Sequence, residues 1–126
     1  MGDLTKNFSR REFACHCGCG FDDIDLRLVD ILQTLRDYAG VPLHVNSGCR
    51  CTEYNKKVGG VDKSWHTKGK AADISASISA KTLFEDVKKL HEAGKIPELK
   101  YCIYYSKKNF IHIDVGKVRN HLYEVR

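Results

Sequence analysis

Two stretches of the chain carry apolar residues at the spacing of an amphipathic helix. In residues 23–38 the repeating apolar positions are Leu28, Ile31, Leu32 and Leu35. Gly40 follows this stretch, and a glycine there is typical of a helix end. In residues 80–93 the apolar positions are Leu83, Val87 and Leu90. Ser79 and Gly94 bound this second stretch as N-cap and stop, so the sequence predicts two main helices.

Shorter segments alternate in polarity or concentrate β-branched and aromatic residues, which is typical of strands. They are residues 42–47, 71–77, 100–105 and 110–115. The last two are joined by SKKN, a link of hairpin length. Ser9 and Glu12 have the spacing of a capping box and predict a short helix, and Gly59 and Gly60 end another one. Because helices and hairpin-linked strands are mixed, we predict an α+β fold with a small antiparallel sheet flanked by helices.

The composition is that of a globular protein. The chain has 126 residues, of which 42% are hydrophobic and 29% charged, enough for a buried core. We therefore expect a single domain over residues 1–126, acting as a monomer. The formal charge is +5, but the basic residues are spread along the chain, which favours a solvated surface over an anionic partner. Aromatic residues do not alternate with basic ones, so we expect no nucleic-acid binding.

The sequence carries no sign of a membrane segment. Its apolar runs all stay well short of the ~18 residues that a spanning helix needs, so we expect no membrane span. The first residues, MGDLTKNFSRREF, lack the apolar core of a signal peptide. The expectation is a protein that is cytosolic when made, or one that leaves the cell by another route.

The segment FIHIDV places polar side chains on one side of an otherwise apolar strand. Since side chains alternate across a sheet, His112 and Asp114 share a face with Phe110, while the two isoleucines point into the core. A lone histidine on a strand is most often hydrogen-bonded and inert. Two polar residues on one face of so apolar a strand indicate that they contact something.

The segment SWHTKGKAADI supplies candidate partners. Asp73 lies between small residues in a predicted strand, and His66 precedes it across a turn that Gly69 permits. If this strand neighbours the one carrying His112, the three side chains form a cluster. Two imidazoles and one carboxylate match a catalytic zinc site, in which three protein ligands leave a fourth position for water.

The same segment resembles a family signature. SWHTKGKAADI is similar to the S-x-H-x-x-G-x-A-x-D signature of the zinc D-alanyl-D-alanine carboxypeptidases, metallopeptidases that share their fold with the hedgehog signalling domain. NFSRREFACHCGCGF, VNSGCR and FIHIDVG resemble further segments of that family, in the same order. The resemblance runs from about Leu4 to Arg119.

The resemblance implies a hedgehog/DD-peptidase-like fold and a site. It implies that His66, Asp73 and His112 ligate Zn²⁺, that Arg50 holds a carboxylate or carbonyl of the substrate, and that Ser64 hydrogen-bonds the substrate backbone or simply caps its loop. The implied activity is metal-assisted hydrolysis of peptidoglycan stem peptides, as a D,D-carboxypeptidase or an endopeptidase. A small enzyme of this kind suits the lysis system of a phage or prophage, as an endolysin.

One position departs from the family. Many members of the wider group carry Asp or Glu three residues before the last histidine, where this chain has Asn109. An amide cannot act as a general base, so we predict that Asp114 replaces it or, alternatively, that Asp114 orients His112. The departure also leaves open a protein of weak or no activity that keeps the zinc and binds the cell wall or a virion partner.

Five of the six cysteines fall into two clusters. They are Cys15, Cys17 and Cys19, then Cys49 and Cys51. A disulfide between the clusters, a structural metal held by four thiolates, and free thiols are all possible, although the C-x-C spacing is not the usual one for zinc. A disulfide would close a loop of about 30 residues and contribute on the order of 3 kcal/mol. Cys102 stands alone in an apolar run and is predicted to be a buried small hydrophobic residue.

Overall fold

The computed structural model describes residues 2–118 and 121–126. Within these ranges the chain forms three α-helices: α1 (Leu26–Ala39), α2 (Thr52–Lys57) and α3 (Ala80–Glu92). Two 3₁₀ helices span Arg10–Phe13 and Trp65–Lys68. The strands are β1 (Leu43–Ser47), β2 (Ala71–Ala76), β3 (Tyr101–Tyr105), β4 (Phe110–Asp114) and β5 (Tyr123–Val125).

The predicted helices and their boundary residues are present. Helix α1 begins three residues later than the apolar pattern predicts, because Asp25 is its N-cap and accepts a hydrogen bond from the Arg27 backbone N–H at 2.9 Å. Gly40 ends it in the left-handed conformation, at φ 71°. Ser79 caps α3 by accepting from the Thr82 N–H at 3.1 Å. The predicted α+β class is confirmed.

The sheet differs from the prediction in one pairing. Its strand order is β1-β2-β4-β3-β5. The first three pairings are antiparallel, but β5 runs parallel to β3, so the sheet is mixed and the prediction of an antiparallel sheet is wrong at this edge. Strand β5 was not predicted, because three residues are too few to establish an alternating pattern.

The register of the central strands separates the two faces of the sheet. Asp73 of β2 pairs with His112 of β4, and His112 pairs with Ile103 of β3. Directly paired residues point to the same side. The polar side chains predicted from FIHIDV and SWHTKGKAADI therefore lie together on one face.

The opposite face is covered by helices and forms the core. Ile74, Ile111 and Ile113 are fully buried there, and α3 packs against β3 and β4 and also contacts α1. Cys102 is likewise fully buried, as predicted. Burial of this face fixes the sheet register, because a slip of one residue would turn Ile111 and Ile113 to the other side. No helix in the described part of the chain has the length and apolar character needed to cross a bilayer.

Candidate metal centre

Three elements present one side chain each at the centre of the open sheet face. His66 lies in the 3₁₀ helix Trp65–Lys68, Asp73 in β2 and His112 in β4. Gly69 ends the 3₁₀ helix at φ 68°, and a Cβ atom there would lie 2.1 Å from the Asp23 carbonyl oxygen. The turn that brings His66 back over β2 therefore requires a glycine at this position.

The three side chains, which we call the His/Asp cluster, have the spacing of a common ligand sphere. One ligand atom from each lies within 4.8 Å of the others. Asp73 Oδ1 is 3.4 Å from His66 Nε2 and 2.9 Å from His112 Nδ1. Ligands on a tetrahedral Zn²⁺ at 2.0–2.1 Å would be about 3.4 Å apart. The donor set and its spacing fit such an ion.

His66 is held with one nitrogen free toward the cluster. Its Nδ1 lies 2.7 Å from the Gly48 carbonyl oxygen. A carbonyl only accepts, so Nδ1 carries the proton and Nε2 presents its lone pair to Asp73. The side chain is almost completely buried, at 4% exposure. The backbone of the Gly48 segment thus sets the tautomer that a metal ligand needs.

His112 is held in the reverse sense. Its Nε2 lies 2.8 Å from Asp114 Oδ2, while Nδ1 faces Asp73. Burial by itself disfavours the imidazolium, but the hydrogen bonds to Asp114 and Asp73 outweigh it and raise the pKa of His112 to about 9. Without an ion, His112 is therefore an imidazolium that donates one hydrogen bond to each of two carboxylates. A cation could take the place of the proton on Nδ1.

Asp114 lies behind His112 and away from the cleft. It is fully buried, and its second oxygen accepts from the Gly116 backbone N–H at 3.2 Å. A carboxylate on the outer nitrogen of a ligating histidine is a frequent arrangement in metal sites. Of the two roles predicted for Asp114, this position favours orienting His112 over accepting a proton from a substrate-bound water.

Arg50 contacts the cluster from the side of β1. Its Nη2 lies 3.3 Å from Asp73 Oδ2, and its Nε and Nη1 donate to Ser47 and Asn55 at 3.0 and 3.2 Å. Burial alone would raise the pKa of Asp73, but the hydrogen bond from His112 holds it below its ordinary value. Asp73 therefore stays ionised, with Oδ1 toward the histidines and Oδ2 toward Arg50.

Asn109 lies in the turn between β3 and β4 and has a structural role. It has a left-handed φ of 53°, which asparagine tolerates better than most residues. Its Oδ1 accepts from the Ala80 backbone N–H at 2.9 Å, at the start of α3. The side chain thus joins the β3–β4 turn to a helix end and is not directed at His112.

The cluster forms the floor of a cleft with a mixed lining. Predicted residues Arg50 and Ser64 lie in it, and Ser64 Oγ accepts from the His66 N–H at 3.2 Å, as a cap does. The sequence did not single out several other lining residues, which are Trp65, Tyr105, Lys108 and Arg126. Tyr105 stacks on Phe110 across the hairpin, with ring centroids 4.6 Å apart. The β3–β4 register, which pairs Ile103 with His112 and Tyr105 with Phe110, places Tyr105 near His112.

Two glycines allow close packing: Gly60, which lines the cleft, and Gly116, which lies against the lining residue Trp65. A Cβ at Gly116 would lie 2.2 Å from the Trp65 ring, and one at Gly60 would lie 2.1 Å from Asn55 Oδ1. Asn55 in turn bonds Arg50. These two glycines are a signal in the sequence that could have pointed to the packing of Trp65 and Arg50.

Comparison with known proteins identifies the family. The model of the Peptidase M15 family matches residues 6–114. The chain belongs to this family, which confirms the predicted resemblance, and its members are metal-dependent peptidases.

Relatives with assigned activities are peptidoglycan enzymes. The chain is 32% identical over 104 residues to the peptidoglycan L,D-endopeptidase MepK of Escherichia coli (strain K12), covering 77% of this chain and 54% of that protein. The proteins of the same name from Escherichia coli O157:H7 and Shigella flexneri match to the same extent. The chain spans about half the length of these curated relatives.

Proposed function

We propose that residues 1–126 form a single zinc peptidase domain that hydrolyses peptide bonds of bacterial peptidoglycan. The observation that carries the proposal is the His/Asp cluster, two histidines and an aspartate at ligand spacing on the floor of a cleft. Membership of the Peptidase M15 family and similarity to peptidoglycan L,D-endopeptidases support the substrate class. We also propose that the domain has the hedgehog/DD-peptidase fold, which agrees with its α+β architecture.

The proposed ion is Zn²⁺, held by His66, Asp73 and His112. Nitrogen and carboxylate donors in a set of three are typical of catalytic zinc. When bound, zinc supplies Lewis acidity that activates water and polarises the scissile carbonyl. The chain's own contribution is to orient the ligands, through the Gly48 carbonyl behind His66 and Asp114 behind His112.

The cleft lining fits a peptide that carries carboxylates. Arg50, Lys108 and Arg126 place positive charge around the cluster. Three of the five N–H groups of the Arg50 guanidinium are used in its bonds to Ser47, Asn55 and Asp73, which leaves two for a substrate carboxylate or carbonyl. We propose this role for Arg50, and a hydrogen bond from the Ser64 hydroxyl to the substrate backbone.

Among the described residues that line the cleft, Asp73 is the only carboxylate. This observation favours a second candidate, a zinc-containing module that binds wall peptide and turns it over slowly or not at all. Asp114 is fully buried behind His112 and does not line the cleft, so we propose that it acts as a positioning residue.

The test is digestion of purified peptidoglycan fragments by the zinc-loaded protein, followed by mass spectrometry. We expect cleaved stem peptides, with none produced by the His112→Ala variant. Release of a terminal alanine would assign a carboxypeptidase, and separation of an internal bond an endopeptidase such as the relatives. Fragments left intact by the wild-type protein, under conditions in which an active relative digests them, would overturn the hydrolase. Binding of those intact fragments would support the second candidate.

A further inference from the structure

A second group of potential metal ligands lies outside the cleft. The Sγ atoms of four cysteines lie within 4.8 Å of one another, and these residues, which we call the thiol cluster, are Cys15, Cys17, Cys19 and Cys51. Cys17 Sγ is 3.4 Å from Cys15 Sγ and 3.6 Å from Cys51 Sγ. Three of the residues come from one loop, and the fourth comes from the start of α2.

The loop backbone is shaped to turn its cysteines inward. Gly18 and Gly20 have left-handed φ values of 83° and 90°. Glycine adopts such values at little cost in conformational free energy, because it has no Cβ. The Cys15 N–H donates to the Phe21 carbonyl at 2.8 Å, closing the loop at its base. With glycine between and after them, Cys17 and Cys19 can face the same point despite their C-x-C spacing.

The fourth cysteine is joined to the loop by hydrogen bonds to sulfur. The Cys51 backbone N–H donates to Cys15 Sγ at 3.4 Å. Cys51 Sγ itself accepts from the Tyr54 N–H at 3.4 Å, as the N-cap of α2. Such N–H groups stabilise a negatively charged sulfur more than a neutral one.

The spacing of the sulfur atoms fits a shared ion better than a disulfide. Four sulfurs on a tetrahedral zinc at ~2.3 Å are about 3.8 Å apart, close to the 3.4 and 3.6 Å between these sulfur atoms. A disulfide needs about 2.05 Å and joins only two of the four. Cys49, which the sequence grouped with Cys51, is buried at 1% exposure and lies outside the thiol cluster.

We propose that Cys15, Cys17, Cys19 and Cys51 bind a structural Zn²⁺ ion as four thiolates. Each thiol would release its proton to solvent as its sulfur binds, with no change in oxidation state. Four protein ligands leave no position for water, so the site is structural and takes no part in hydrolysis. The site is separate from the His/Asp cluster and does not depend on the proposed peptidase activity.

The ion would fix the segment that carries Arg50. Cys51 follows Arg50 directly, and the Arg50 backbone N–H donates to the His66 carbonyl at 3.0 Å. Few apolar side chains anchor the loop itself, since residues 16–20 are all exposed. Cross-linking this loop to α2 would therefore hold both the loop and the Arg50 backbone in place.

The experiment counts zinc per chain by plasma mass spectrometry, in protein purified under reducing conditions. We expect two ions in the wild type, one in the His66→Ala/His112→Ala double variant, and one in Cys17→Ser/Cys19→Ser. Cys49→Ala, a neighbouring cysteine outside the thiol cluster, is the matched control and should keep both ions. If the His/Asp cluster binds no zinc, the wild type would contain one ion and the cysteine double variant none, so failure of the proposed function remains distinguishable.

A second measurement needs no cysteine substitution. X-ray absorption at the zinc edge of the His66→Ala/His112→Ala variant should show four sulfur neighbours at about 2.3 Å. Absence of zinc from this variant, nitrogen or oxygen neighbours, iron in place of zinc, or loss of two mass units per disulfide in the unreduced protein would each overturn the proposal.

Discussion

The His/Asp cluster and the thiol cluster are assembled on different kinds of backbone. Two of the three His/Asp side chains project from central strands, and all three are at most 12% exposed. Each histidine has a second partner on its outer nitrogen. In the thiol cluster, three residues come from a glycine-containing loop, and Cys17 and Cys19 are exposed.

The two clusters should therefore differ in how far their local structure depends on a bound ion. Strand pairing and core burial hold the His/Asp cluster in place, so we expect its side chains to keep their positions without metal. The loop of the thiol cluster has little buried surface, and loops of this kind have low local stability. We therefore expect metal to be required for chemistry at the first cluster and for local structure at the second.

The largest effect should come from removing a ligand of the His/Asp cluster. In His66→Ala, hydrolysis of peptidoglycan fragments should fall at least about a thousandfold, because the proposed zinc ion, which would activate water, loses one of its three ligands. Circular dichroism should show a folded protein. Cys19→Ser should reverse the pattern, with a clear fall in melting temperature and a smaller loss of rate per folded molecule. Equal losses of rate in the two variants would contradict the different roles expected for the two clusters.

A smaller effect is expected at Asp114, which is hydrogen-bonded to the proposed ligand His112. Asp114→Asn should weaken zinc binding at the His/Asp cluster by about 10–100-fold, because the amide no longer fixes the His112 ring as a carboxylate does. Competition with a chromophoric chelator measures the affinity. Asp30→Asn, at an exposed position of α1, is the control and should bind zinc as the wild type does. An unchanged affinity in Asp114→Asn would rule out the positioning role.

The turn position Asn109 should affect stability alone. Asn109→Ala should lower the free energy of unfolding by about 1–2 kcal/mol, through left-handed strain and a lost acceptor at the start of α3. Asn109→Asp keeps the acceptor and places negative charge at a helix N-terminus, so we expect stability within about 0.5 kcal/mol of wild type. Urea denaturation measures both. A rise in hydrolysis in Asn109→Asp would instead show that this position reaches the reacting groups.

The smallest effect concerns Asp25, which joins α1 to the turn that carries His66. Its backbone N–H donates to the Gly69 carbonyl at 2.8 Å. Asp25→Ala should cost about 1 kcal/mol through loss of the N-cap. The hydrogen bond from Arg27 lowers the pKa of Asp25 to about 2, so the ionised form stabilises the fold. This contribution is complete above the unfolded pKa of about 3.9 and is lost as the pH falls toward 2.

Unfolding curves at several pH values test the assignment for Asp25. The difference between wild type and Asp25→Ala should be constant near pH 7 and shrink below about pH 4. A difference that grows in acid would contradict it.

The elements could be predicted where local signals were strong. The apolar periodicity of α3 with Ser79 and Gly94 gave its bounds to within a residue, since caps and period act locally. Strand β5 was not predicted, because its three residues form a strand only by pairing with β3. The C-x-C spacing of the cysteines argued against a metal, because it is not the usual spacing of zinc ligands. The convergence of Cys51 with the loop could not be inferred from spacing alone.

Which residues form the candidate site was determined by the sequence itself. Alternation along FIHIDV put His112 and Asp114 on one face, and SWHTKGKAADI placed His66 and Asp73 around a necessary glycine, because the geometry of strands and tight turns follows from local residue types. Which atoms meet was decided only by the tertiary structure. The pairing of β2 with β4 and the Gly48 carbonyl behind His66 depend on contacts between distant segments, and those are selected by burial of the opposite sheet face.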